Sequence, residues 1–179
     1  MRYVCLLRGV NVGGHSKLSM AEFRELLGGV GATGVRTYIQ SGNAVFEHDL
    51  RDAVEIAALV ADALRDQLGS SSGVLVLAAA ELGTIAAAQP FPHEDSANAK
   101  VLYVGFLLAT PCGEVLALPP PPNTGADEFA LGERAVYLRC PDGFGRTKLN
   151  GTFFERALGV PVTFRNWRTV LTLLKMVGD

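Results

Sequence analysis

The chain has 179 residues, 49% of them hydrophobic and 19% charged, and its mean hydropathy of +0.24 excludes a disordered chain. A formal net charge of −2 lacks the overall basicity of dedicated nucleic-acid binders. The longest apolar-plus-glycine run, VLYVGFLLA (101–109), is nine residues where a membrane-spanning helix needs about twenty; with no signal-peptide core at the N-terminus, a cytoplasmic protein with no membrane partner is expected.

YVCLLR (3–8) is apolar on both alternations, which predicts a strand covered on both faces. A glycine-rich loop follows. Ser19 then precedes Glu22 by three residues, the capping-box spacing, and Met20, Phe23, Leu27 and Val30 line one face of the helix that it opens. VRTYIQ and AVFEH are two strands joined through SGN, with Gly42 and Asn43 expected to take positive φ. Leu50, Val54, Ala57, Ala61, Leu64 and Leu68 recur at helical spacing, SSSG breaks that helix, and VLVLA (74–78) is a fourth strand. The order is β-α-β-β-α-β, the ferredoxin-like arrangement.

It recurs. An alanine-rich helix (about 79–88) and a polar loop lead to the strand KVLYVGFLLA. TPCGEVLAL reads as a short helix with Thr110 as cap and Pro111 at its first position, and PPPP (119–122) as a stiff connector. EFALGERAVYLRC is a second hairpin. A helix near 150–158, with Thr152 and Glu155 as its capping box, precedes the strand PVTF and a last helix over 167–177. The expected fold is α+β: two ferredoxin-like halves with antiparallel sheets, packed together, plus a C-terminal helix. The expected divisions are 1–79 for the first half, 80–98 for a helix and connecting loop, and 99–179 for the second half.

LRGVNVGGHS carries Gly9 and Gly14 at the spacing of a phosphate-binding loop, G-x-x-x-x-G-K-[ST], with His15 where the lysine belongs. Two features argue against that loop. Its helix should start directly after the glycines, yet the best cap is Ser19, and the helix leads into a hairpin rather than a parallel strand. The connection is nonetheless long, ten residues from Gly9 to Leu18, against about 2–6 for ordinary connections. Up-down strand alternation places it at the same end as the SGN turn, which would gather Arg8, Asn11 and Lys17 near Ser41 and Asn43 as a binding mouth. Alternatively these asparagines and glycines only shape turns.

A second polar cluster lies in GFGRTKLN (143–150) and TFRNWRTV (163–170). Residues 134–179 hold eight Lys/Arg against three Asp/Glu, net +5, which suits an anionic ligand; the alternative is attraction to the acidic remainder of the chain. Arg146 and Lys148 belong to the first segment; in the second, Asn166 is placed to cap the last helix, so that Arg165, Arg168 and free backbone N–H groups converge at a positive dipole end, with Trp167, the one tryptophan, between the two arginines.

LLRGVNVGG, TYIQSGNAVF, GRTKLN and TFRNWRTV, in that order, closely resemble the bacterial family catalogued as domain of unknown function 1697, over nearly the whole chain. The resemblance implies two α+β halves with ferredoxin-like features. It implies no established activity, substrate or cofactor, and so carries over no catalytic residues. The family signature usually has serine before the lysine and threonine before RNW; Thr147 and Phe164 stand there in this chain.

Three scattered cysteines, with no C-x-x-C and no histidine at ligand spacing, exclude a recognisable metal site and read as buried thiols. Neither G-x-S-x-G nor H-E-x-x-H occurs, and His93, Glu94 and Asp95 read as solvated loop charge. No cofactor motif is present and no catalytic set can be assembled. The expected function is binding, with or without turnover, of a small anionic or phosphate-bearing ligand through Arg8, Asn11, Lys17, Ser41, Asn43, Arg146, Lys148, Arg165, Asn166 and Arg168. The alternatives are nucleic-acid binding, disfavoured because only Phe46 offers a stacking ring on the first hairpin, and a protein-interaction module without catalysis.

Overall fold

The computed structural model describes residues 1–11, 18–69, 72–92, 98–111 and 124–179. The chain divides into two compact units, Met1–Gly83 with Leu173–Asp179, and Thr84–Thr172.

The first unit is built on β1 (Arg2–Arg8), α1 (Met20–Gly29), β2 (Thr33–Tyr38), β3 (Asn43–Glu47), α2 (Ala53–Leu68) and β4 (Gly73–Ala78). The strands form one sheet in the order β2-β3-β1-β4, antiparallel throughout, which is ferredoxin-like. β1 is central and buried on both alternations: Tyr3, Cys5 and Leu7 join the helix-covered core, and Val4 and Leu6 are fully buried as well. The capping box forms as expected, Ser19 Oγ accepting from the Glu22 N–H and Glu22 Oε2 from the Ser19 N–H, and Phe23 and Leu27 bury the inner face of α1.

Two local expectations need correction. α2 begins at Ala53 behind an Asp52 cap and buries Ile56, Val60 and Leu64; Val54 is 77% exposed. Leu50, Ala57, Leu64 and Leu68 of the expected stripe do pack in this core, so the departure is Val54, which the first turn of α2 points to solvent. In the β2–β3 turn the positive φ values fall on Ile39 (+49°) and Gly42 (+71°), whereas Asn43 is the first residue of β3. Gly42 is obligatory on two counts, since a Cβ there would lie 2.6 Å from Leu7 Cβ and 2.8 Å from Val10 Cγ2.

α3 (Ala79–Ala87) crosses the boundary between the units, and the short α4 (Asn98–Val101) replaces the end of the expected polar loop. The second unit then repeats the strand plan with β5 (Leu102–Leu107), β6 (Glu128–Leu131), β7 (Ala135–Arg139) and β8 (Val162–Asn166), in the order β6-β7-β5-β8. α5 (Gly151–Leu158) packs on one face, where Leu107, Val136, Leu138, Leu149, Phe154 and Val162 form the core. Gly105 leaves room for the Phe164 ring, whose nearest atom would lie 2.5 Å from a Cβ at that position. Most of TPCGEVLAL and all of PPPP lie outside the described residues. α6 (Trp167–Gly178) closes the chain. Its last turn, in the first unit, is held by Arg2, whose Nη1 donates to the Val177 and Gly178 carbonyls at 3.1 and 2.9 Å, and by Arg36, which donates to Met176; cations suit a helix C-terminus.

The cap of α5 also differs. Asn150 Oδ1 accepts from the Phe153 N–H at 3.1 Å, so the cap lies two residues before the expected Thr152. Glu155, the supposed partner in that box, accepts instead from the Val162 N–H at 3.0 Å and ties α5 to β8. Cys5 and Cys140 are buried thiols.

Candidate functional site

Two ends of the fold carry the sequence-derived candidates, one in each unit. In the first unit, antiparallel pairing sets Leu6 opposite Asn43 and Arg8 opposite Gly73, so the exit of β1 and the β2–β3 turn share an end. The Leu7 N–H donates to the Gly42 carbonyl at 2.8 Å. Asn11, itself at φ +56°, donates from Nδ2 to the carbonyls of Leu18 and Gln40, each at 2.8 Å, and accepts the Leu18 N–H on Oδ1 at 3.0 Å. Its amide thereby fastens both flanks of the long loop to the turn. Asn43 is fully buried and donates to the Tyr38 carbonyl and to Ser41 Oγ. Both asparagine side chains thus have shaping roles. Arg8 and Ser41 are half-buried at this same end, while Lys17, with Gly14, His15 and Ser16, lies outside the described residues.

In the second unit the corresponding construction lies at the entry of β5. Leu102 is opposite Arg139 and Tyr103 opposite Asn166, and the Cys140 N–H donates to the Val101 carbonyl at 2.8 Å. The end of α4, the 140–150 loop, and the first turns of α5 and α6 therefore meet there. Side chains in the loop alternate: Thr147 and Leu149 turn inward and are buried, with Thr147 Oγ1 accepting the Leu149 N–H, whereas Arg146 and Lys148 are exposed. Asn166 caps α6 as the sequence suggests, Oδ1 accepting the Arg168 N–H at 3.0 Å, and its Nδ2 donates to the carbonyls of Lys100 and Leu102. Arg168 is exposed. Arg165 is not: it is 8% exposed, and its Nη1 donates to Thr163 Oγ1 and the Phe164 carbonyl, both at 2.9 Å. Arg165 and Arg168, three positions apart, thus diverge, Arg168 to solvent and Arg165 into the protein.

At this end Arg139 pairs with Glu128, as Arg2 and Arg65 pair with carboxylates in the first unit. No described residue pairs with the Lys100, Arg146 or Lys148 side chain. α1, α2 and α3 each carry a glutamate in the first turn, where it offsets the helix dipole; α5 and α6 carry no acid there. Lys100 was missed from sequence because strand pairing alone brings α4 to the 140–150 loop.

Among the described residues no group of three or more His, Cys, Asp or Glu is placed to hold a metal ion. Cys140 is held as a thiol: burial pushes it up to about 11, the Asp127 carboxylate adds to that, and a hydrogen bond with Thr147 opposes it. A cavity of about 320 Å³ lies at the other end of the second unit, lined by Leu107, Thr110, Pro111, Leu131, Gly132, Glu133 and Leu158. It holds none of the sequence-derived candidates.

A model of the family described as "Protein of unknown function (DUF1697)" matches residues 1–137. The chain belongs to this family. The matched span of this DUF1697 chain covers the first unit's end and stops before the 140–150 loop. No curated protein matches. Among solved structures, the conserved bacterial protein SP0830 from Streptococcus pneumoniae is similar, with a TM-score of 0.74 and 20% identity over 99% of this chain and 98% of that one. That likeness supports the fold of the DUF1697 chain and assigns it no activity. No helix among the described residues is long and apolar enough to cross a membrane.

Proposed function

We propose that the protein binds a small anion, of the phosphate or carboxylate class, at the end of the second unit formed by the 140–150 loop, α4 and the first turns of α5 and α6. One observation carries this reading: Lys100, Arg146 and Lys148 gather there without pairing to any described residue, beside two helix N-termini with no acid in their first turns. Backbone N–H groups and the dipole at such ends favour negative charge. Arg168 extends the cationic rim, and Asn166 holds the backbone around it. The first unit's end is the weaker candidate, because the amides of Asn11 and Asn43 are committed to backbone and loop partners.

Differential scanning fluorimetry with inorganic phosphate and pyrophosphate tests it, on the wild type and on the double variant Arg146→Ala/Lys148→Ala. Both side chains are exposed, so the substitutions alone change stability by less than about 0.5 kcal/mol. A ligand at a hundred times its Kd stabilises the native state by about 2.7 kcal/mol. The wild type should therefore melt higher with anion and the double variant should not. Equal shifts in both proteins, or none in either, contradict the reading.

A further inference from the structure

The cationic end adjoins an aromatic ladder that the proposed anion does not use. From the buried Phe154 the rings run to Phe164 (centroids 5.9 Å apart), on to Phe144 (5.0 Å) and to Tyr103 (4.9 Å). Phe154 lies in the core, and Phe164, Phe144 and Tyr103, each half-buried, pack against it. The outer rungs stand at the site itself: Phe144 is two residues before Arg146, and Tyr103 is paired across the sheet with Asn166, the cap of α6. No described residue bonds the Tyr103 hydroxyl. A π-face next to unpaired cations is complementary to a ligand with a planar ring at one end and negative charge at the other.

We propose that the anion is the phosphate portion of a mononucleotide, whose base lies on the Tyr103–Phe144 rungs while Arg146, Lys148 and Lys100 meet the phosphates. This inference rests on the anion-binding reading above and adds the ring to it. The base is held by stacking, so discrimination among bases is weak.

Calorimetric titrations of the full chain with ATP and with inorganic triphosphate separate the two. The proposal expects ATP to bind the wild type roughly tenfold more tightly than triphosphate. It also expects Phe144→Leu, which keeps an apolar side chain in the ladder, to erase that difference while leaving triphosphate affinity unchanged. Equal affinities for ATP and triphosphate in the wild type overturn the nucleotide and leave the anion site standing. Failure of both to bind overturns both readings. If Phe144→Leu does not fold, the wild-type comparison decides alone. If the variant folds and keeps the tenfold preference, the ring does not lie on Phe144 and the proposal fails.

Discussion

Alternation inside one short loop separates its anchoring from its solvent-facing residues. Thr147 and Leu149 anchor 140–150 from within, which leaves Arg146 and Lys148 facing solvent. Beneath them Cys140 is fully buried, and its raised thiol has a consequence for stability. The folded chain holds the proton more tightly than the unfolded chain does, so this contribution is complete below the ordinary value of 9.0 and is lost as pH rises toward about 11. Tyr137, also raised by burial, acts in the same direction. Denaturant melts between pH 8 and 11 should show stability falling above pH 9, less steeply in Cys140→Ala. At pH 8 a thiol reagent should leave Cys140 unmodified until the protein is denatured. At Gly105, alanine would drive a Cβ into the Phe164 ring. It should cost about 1–3 kcal/mol in a chemical melt, whereas Gly145→Ala, which meets nothing within 4 Å, should cost far less.

At the scale of the element, caps decide where helices start and hence which end of the sheet they face. Asn150→Ala should destabilise by about 1 kcal/mol, and Thr152→Ala, at an exposed position, should be close to neutral; urea denaturation of the pair checks this. The sequence alone reverses that assignment, because Thr152 and Glu155 have capping-box spacing while Glu155 in fact reaches across to the β8 backbone. Spacing reports what a residue can do locally and is blind to a partner seven positions away on another element. The same limit explains α2, where Val54 fits the apolar spacing yet faces solvent in the first turn, and the turn at Ile39, whose positive φ no β-branched residue advertises. Where local and tertiary demands agree, as in the doubly apolar β1 and the Ser19 box of α1, the sequence is sufficient.

For the whole chain, the strand plan was legible twice over: β-α-β-β-α-β in the first unit and the matching β6-β7-β5-β8 order in the second. The site was legible only in part. Arg146, Lys148 and Arg168 announce themselves as charge in a stretch of net +5, and Asn166 as a cap. Lys100, Tyr103 and Phe144 join them only through the pairing of β5 with β7 and β8, a relation between residues some forty to sixty apart. Asn11 and Asn43 looked equally functional until their amides were seen to hold the β1 exit and the hairpin in shape. The asymmetry of charge along the chain is the root of the proposal, since it sets Arg146, Lys148 and Arg168 in one stretch of net +5.

The most direct test is an amide NMR titration of the wild-type chain with inorganic phosphate. The account predicts saturable shifts confined to residues around Lys100, Arg146–Asn150, the first turn of α5 and Arg168. Saturable shifts clustered instead around Arg8, Asn11 and Ser41, or no saturable shift anywhere, would contradict it.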